Sequence, residues 1–146
     1  MDFFSEKGDK YWICGTHRLL GVIYRSKSET KKAIHHFEAA LGLASVSDQY
    51  NQLHRTHSEL ARLFLDEDRF DKAQAHVEHA KSYAFNHSYY LSDATKLQAD
   101  LWYKQGRLGE ARSEVLCAAD AYEKLGAAND LEKCRKLLQK IEREIS

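Results

Sequence analysis

The sequence predicts an all-α fold, an α-solenoid of three helical hairpins plus a C-terminal capping helix. Three observations predict it. Zero prolines and seven glycines in 146 residues leave little of the turn chemistry that a chain of strands needs. Apolar residues recur at helical spacing along nearly the whole chain. The small and large positions of one hairpin, Gln98 to Ala118, recur twice upstream, at separations of 40 residues (21 to 61) and 38 residues (61 to 99), and internal periods of this size mark a stack of repeats in which each unit contacts its neighbours.

From Lys10 to Ser26, Trp12, Ile13, Leu19, Leu20, Ile23 and Tyr24 keep helical spacing and make the first A helix. Ser28 is the expected N-cap of the first B helix, whose stripe is Ala33, Ile34, Phe37, Ala40, Leu41 and Ala44. Ser47 or Asp48 is expected to cap a third helix carrying Tyr50, Leu53, Leu60, Ala61, Phe64 and Leu65. Asp66-Glu67-Asp68 then makes a polar turn, with Asp68 as the cap of a fourth helix that holds Phe70, Ala73, Val77, Ala80 and Ala84, and Asn86-His87-Ser88 breaks the pattern. The fifth and sixth helices meet at Gly106, and the sixth ends at Leu125-Gly126, where glycine suits the left-handed conformation that follows many helices. A seventh starts near Asn129, with Glu132 in capping-box spacing. Its single stripe, Leu131, Cys134, Leu137, Leu138, Ile141 and Ile145, is surrounded by charge, as a lid on the last hairpin requires. The hairpins fall at about 10–46, 48–85 and 88–125 and the capping helix at about 129–145, one domain over residues 1–146. Phe4 and Gly8 have the spacing of Tyr122 and Gly126, so residues 3–8 read either as the end of a B helix in a longer array or as a frayed N-terminus.

Aligned, the hairpins give Leu20-Gly21, Leu60-Ala61 and Gln98-Ala99; Tyr24, Phe64 and Trp102; Ala33, Ala73 and Ala111; Phe37, Val77 and Val115; Ala40, Ala80 and Ala118. Small residues stand where one backbone must approach another and large ones where a groove must be filled. These positions resemble the tetratricopeptide repeat (TPR) over nearly the whole chain, most fully from Gln98 to Ala111. The departures are Gln98 for leucine, His17 and His57 at the first aromatic position, no proline after the B helices, and periods longer than the family's usual ~34 residues. Longer helices of that kind occur in the TPR arrays of kinesin light chains and of fungal signal-transducing nucleotide-binding receptors. The strings Leu19-Leu20-Gly21-Val22-Ile23-Tyr24 and Lys32-Ala33-Ile34-His35-His36-Phe37-Glu38 resemble the fungal group.

Composition excludes several classes. The chain is 43% hydrophobic, with no apolar run near the ~18 residues of a membrane span, and Met1-Asp2-Phe3-Phe4-Ser5-Glu6 lacks the order of a signal peptide. A cytoplasmic protein is the expectation. Twenty-two Lys and Arg balance 22 Asp and Glu, so no global field draws the chain to nucleic acid or to a membrane. Cys14, Cys117 and Cys134 are odd in number and widely spaced, which argues against a disulfide framework and against paired zinc ligands. No nucleophile, base and orienting group come together in the repeat frame, so no enzyme is expected.

The resemblance implies that A helices line a concave groove, with Arg18, Val22 and Arg25 from the first repeat, Arg55, Ser58, Arg62 and Leu65 from the second, and Asp93, Lys96, Asp100, Tyr103 and Lys104 from the third. This implies a scaffold binding a protein partner, an acidic or carboxylate-bearing peptide or helix, through Arg18, Arg25, Arg55, Arg62 and Lys96 with Leu65 and Tyr103 as apolar contacts. The bland alternative is a solvated face of ion pairs internal to the array. At the positions where chaperone-binding members clamp a C-terminal carboxylate stand Arg18, Val22, Glu59, Asp93 and Leu97, so chaperone C-termini are not expected to bind. His54 and His57, like His76 and His79, stand three apart and could offer four nitrogens. His17 and His57 share one repeat position, however, and His36 and His76 another, so structural or surface histidines are expected, with no metal and no cofactor. Tyr83, Phe85, Tyr89 and Tyr90 are expected to staple the second hairpin to the third, and Gly106-Arg107-Leu108-Gly109 lacks the strand and lysine of a phosphate loop. A second reading is an assembly or regulatory role, in which the array is a segment of a larger sensor protein and its open end, with Tyr11 and Trp12, stacks on further repeats or on itself.

Overall fold

A computed structural model describes residues 3–46, 49–84 and 86–146, with side chains from Asp9 onward. The described residues form seven helices: α1 (Phe3–Ser26), α2 (Thr30–Val46), α3 (Tyr50–Asp66), α4 (Phe70–Tyr83), α5 (Ser88–Lys104), α6 (Leu108–Leu125) and α7 (Ala128–Ile145). Each packs on the next in the chain, while α1, α3 and α5 touch in series and α5 also meets α7. The result is an α-solenoid of three hairpins closed by α7. None of these helices is long and apolar enough to cross a membrane. Helix α1 runs unbroken through Gly8, so residues 3–8 are its first turns and no turn ends a helix there.

The hairpins close where the alanines stand. Ala33, Ala73 and Ala111, and Ala40, Ala80 and Ala118, are buried to within 1% exposure, which lets the two backbones of each hairpin approach. Opposite them the filler varies in a correlated way. A Cβ added to Gly21 would lie 2.5 Å from the Phe37 ring. At the same register the second hairpin sets Ala61 against Val77 and the third sets Ala99 against Val115. Where the A helix gains a methyl, the B helix exchanges a ring for the smaller valine side chain.

The turns share a geometry that contradicts the expected caps. Ser28, Asp68, Gly106 and Gly126 all have positive φ, at 61°, 58°, 78° and 72°. The following residue donates its backbone N–H five residues back, from Glu29 to Tyr24, Arg69 to Phe64, Arg107 to Trp102 and Ala127 to Tyr122, at 2.8–3.0 Å. This is the Schellman motif. In it one residue ends the first helix and starts the next: the carbonyls of Glu29, Arg69, Arg107 and Ala127 accept from Ala33, Ala73, Ala111 and Leu131. Ser28 and Asp68 therefore occupy the left-handed position one residue before the cap. Arg69, Arg107 and Ala127 are the N-caps, with no side-chain capping bond, and the capping box of Asn129 and Glu132 does not form because Asn129 is already inside α7. Ser47, Asp48 and Phe85 lie outside the described residues; α3 is capped by Gln49, again without a side-chain bond. His87 is the N-cap whose side chain does serve, accepting from the Tyr90 N–H at 3.4 Å.

Two outcomes follow for stability, both read by urea or thermal unfolding. Gly21→Ala is expected to cost about 1–3 kcal/mol by overpacking Phe37, and Gly21→Ala/Phe37→Val, which copies the second hairpin, recovers most of that loss; a purely additive double variant would refute the coupling. At the turns, Gly106→Ala is expected to cost about 1 kcal/mol, whereas Asp68→Gly stabilises, because each L side chain in the left-handed region is strained. Asp68 gives up only an exposed contact to Lys104 at 3.7 Å.

Candidate functional site

The concave face of the solenoid is built by the inward positions of α1, α3 and α5, and α7 crosses its C-terminal part. Tyr89 donates to Asp130 at 2.8 Å and Tyr103 to Glu144 at 2.6 Å, which ties α5 to α7 across the groove. The groove has two lobes. The upper, of about 520 Å³, is lined among others by Arg18, Arg55, His54, Tyr89, Tyr90 and Lys133. The lower, of about 300 Å³, is lined among others by Arg62, Tyr103, Lys104, Leu137 and Lys140.

The groove residues expected from sequence divide into those that are committed and those that are free. Arg25 pairs with Asp66 at 2.8 Å and reaches Glu59 at 3.7 Å, Arg62 pairs with Glu59 at 2.9 Å, and Lys96 holds both oxygens of Asp100 at 2.8 and 2.9 Å. For these three the bland alternative of ion pairs within the array holds. Leu65 lines the lower lobe as expected, but at 8% exposure it is held mostly in the cluster of Phe37, Leu60 and Phe64 and offers little surface. Tyr103 lines the lower lobe, though its hydroxyl is spent on Glu144. Arg18 and Arg55 remain. Arg18 donates Nε–H to the Gln52 carbonyl oxygen at 3.2 Å, and Arg55 lies 5.7 Å from the centre of the Tyr90 ring; among the described residues no carboxylate holds either.

Sequence reasoning missed Lys133 and Lys140. As members of a lid they looked solvated; only the path of α7 across the groove turns them inward. It also assigned Tyr89 and Tyr90 wholly to packing. Tyr83 does pack, stacked on His57 and Tyr50, but Tyr90 lines the upper lobe, stacked on His54 at 4.5 Å. The Asp130 hydrogen bond, with burial, pushes the Tyr89 hydroxyl up to about 12, so it stays a donor at neutral pH. Tyr122, buried and bonded to Asp93, is raised further. The lobe's carboxylates are thus all engaged: Glu59 by two arginines, Asp93 by Tyr122 and Asp130 by Tyr89.

Two pairs of histidines lie between the helices of the first two hairpins. His17 and His36 face each other Nδ1 to Nδ1 at 3.0 Å, and His57 and His76 do the same at 3.0 Å. One neutral imidazole of each pair donates and the other accepts. His54 instead donates Nδ1–H to the Ala80 carbonyl at 2.9 Å, so the four nitrogens do not converge. Among the described residues no group of three or more His, Cys, Asp or Glu is placed to hold a metal ion. Cys14 and Cys134 are buried free thiols, raised by burial, and Cys117 is exposed.

No family model matches the chain, and no curated protein or solved structure matches it significantly.

The histidine pairs give the fold a pH dependence of known sign. Burial first, then the positive charge on His76 and His79, pushes His57 down to about 3. The unfolded chain, near the ordinary histidine value of about 6.5, binds the proton more readily, so stability is complete above that pH and is lost as pH falls from there toward 3. Burial also lowers His54 and His76, which adds to the loss. Unfolding free energy measured at intervals from neutral to acid is expected to drop by roughly 2–3 kcal/mol over two pH units below 6.5, and the slope should flatten in His57→Asn. An unchanged slope in that variant refutes the assignment.

Proposed function

We propose that the chain is a non-catalytic, TPR-like interaction scaffold that binds an acidic peptide or helix in its concave groove. One observation carries this reading: in the upper lobe the cations outnumber the anions, five (Arg18, Arg25, Arg55, Arg62, Lys133) against three (Glu59, Asp93, Asp130). The three carboxylates are already satisfied internally, while Arg18, Arg55 and Lys133 have no carboxylate partner among the described residues. An arginine fork left on a neutral amide or a ring face is free to take a carboxylate in bidentate form. Tyr90 supplies a flat apolar wall beside Arg55, and Tyr89 with its donor pinned to Asp130 narrows the lobe against α7. The ligand chemistry this favours is a run of alternating carboxylate and apolar side chains.

Chaperone C-termini remain poor candidates on the same reasoning. Leu97 is 2% exposed and reaches no ligand, and Glu59 and Asp93 present satisfied carboxylates where a carboxylate clamp needs donors.

Fluorescence anisotropy tests the proposal with two labelled peptides of equal length, one alternating glutamate with leucine and one alternating lysine with leucine. The glutamate peptide is expected to bind, more weakly as salt rises, and the lysine peptide not to bind. Arg18→Glu/Arg55→Glu/Lys133→Glu should weaken binding at least tenfold at unchanged helicity, since charge reversal of several desolvated contacts exceeds about 1.4 kcal/mol. Arg62 is unsuited to this test, because reversing it leaves Glu59 facing a second carboxylate. Equal affinity of the triple variant and the native chain overturns the reading.

A further inference from the structure

We propose that α1 is the interface of a homodimer, in which Trp12, Thr16, Leu19 and Ile23 pair with the same stripe of a second copy running antiparallel. These residues are spaced 4, 3 and 4 apart and so fall on one face of the helix. Trp12 is 73% exposed, Leu19 56% and Ile23 46%. The other exposed large apolar residues fall one or two to a helix, from Val46 to Ile145, while α1 carries four with Ile13.

The repeat says what kind of object belongs on this face. Ile23 has the register of Leu63 and Leu101, which are 2% and 0% exposed, and Thr16 that of Thr56 and Ala94, both 0% exposed. Leu63 is covered by α2, in the cluster that holds Ala33, Phe37, Ile34 and Leu41, and Leu101 lies in the same cluster as Ala73 and Phe70 of α4. At the Ile23 register of each later hairpin, then, a helix of the preceding hairpin lies over the A helix, antiparallel to it because consecutive helices are joined by short turns. On α1 Ile23 has no such cover among the described residues and is 46% exposed.

The stripe is complementary to itself. With a two-fold axis between residues 17 and 18, Trp12 faces Ile23 of the second copy and Thr16 faces its Leu19, so a large residue meets a medium one and a small residue meets a large one. Asp9 and Lys27, both exposed, lie on the same flank of the stripe at about 100° of rotation per residue, and the two-fold brings Asp9 of one copy beside Lys27 of the other at both ends. Of the other helices, Ile34 and Leu41 of α2 face α3 and the outer face of α7 is charged.

A single helix pair lies at the small end of interface sizes, so sedimentation velocity on the full chain from about 1 μM to about 1 mM brackets the affinity expected. The native chain should pass from monomer to dimer over that range, and Leu19→Glu/Ile23→Glu should remain monomeric with unchanged helicity. Asp9→Lys alone and Lys27→Glu alone should each weaken the dimer, and Asp9→Lys/Lys27→Glu should restore it, an outcome that only the antiparallel register produces. A chain monomeric throughout, a dimer that survives Leu19→Glu/Ile23→Glu, or charge variants whose effects simply add would each overturn the proposal.

Discussion

The close approach of the two helices within each hairpin is the constraint on which the rest of this structure depends. With alanine at 33, 73 and 111 and again at 40, 80 and 118, the backbones can come to the lower end of the about 8–10 Å range of packed helices. A connection between helices that close must be short, and a short connection must reverse the chain in one left-handed residue. That is why Ser28 and Asp68 accept a conformation L side chains resist, and why the residue after each has to serve as both the end of one helix and the start of the next. The strain at those two positions and the missing side-chain caps are consequences of the packing distance. Gly106 and Gly126 meet the same demand without strain.

The same closeness explains the histidines. At the A–B contact the first two hairpins place an imidazole on each helix, and the pairs His17–His36 and His57–His76 are near enough to hydrogen bond only because the helices are. The third hairpin has Thr95 and Glu114 at that register. Acid sensitivity is thereby confined to the N-terminal two thirds of the stack. In a repeat protein, where stability is roughly a sum over neighbours, acid should loosen that part before the contacts of α5, α6 and α7. Those contacts are made instead by Ala99, Val115, Tyr122, Leu137 and Ile141, none of which titrates near neutral pH.

Much of the architecture was legible because it is written in period and residue size. The 40- and 38-residue spacings place all three hairpins, and Leu131, Cys134, Leu137 and Ile141 place the closing helix. The turn chemistry was misread for a physical reason: serine and aspartate are good helix caps and also tolerable left-handed residues, and only the short connection decides between the roles. The site was legible in outline. The family resemblance implies an inward position for Arg18, Arg55 and Arg62, but which arginine is free depends on where Glu59, Asp66 and Asp100 point, a matter of tertiary geometry. Leu65 shares register with Arg25 and Tyr103 and does line the groove, but how little of it is exposed depends on the cluster it packs in, which register alone does not show. Lys133 and Lys140 carried no signal, since a charged residue on a lid reads the same whether the lid faces solvent or the groove.

The proposed groove and the proposed dimer face lie on different sides of α1. On α1, Arg18, Val22 and Arg25 lie about 120° around the axis from the centre of the Trp12–Ile23 stripe, at about 100° per residue. A second copy seated on the stripe therefore leaves the groove open, and the two-fold sets two grooves on one particle. A partner with a single acidic segment gains nothing from this. A partner with two such segments, or one that is itself dimeric, binds the second groove at an effective concentration set by the tether between its segments, so modest groove affinity can become tight overall binding with no new contact. Groove and stripe rest on different residues, so reversing the stripe should leave the affinity of a single peptide for its groove untouched and remove only the advantage of a bivalent one.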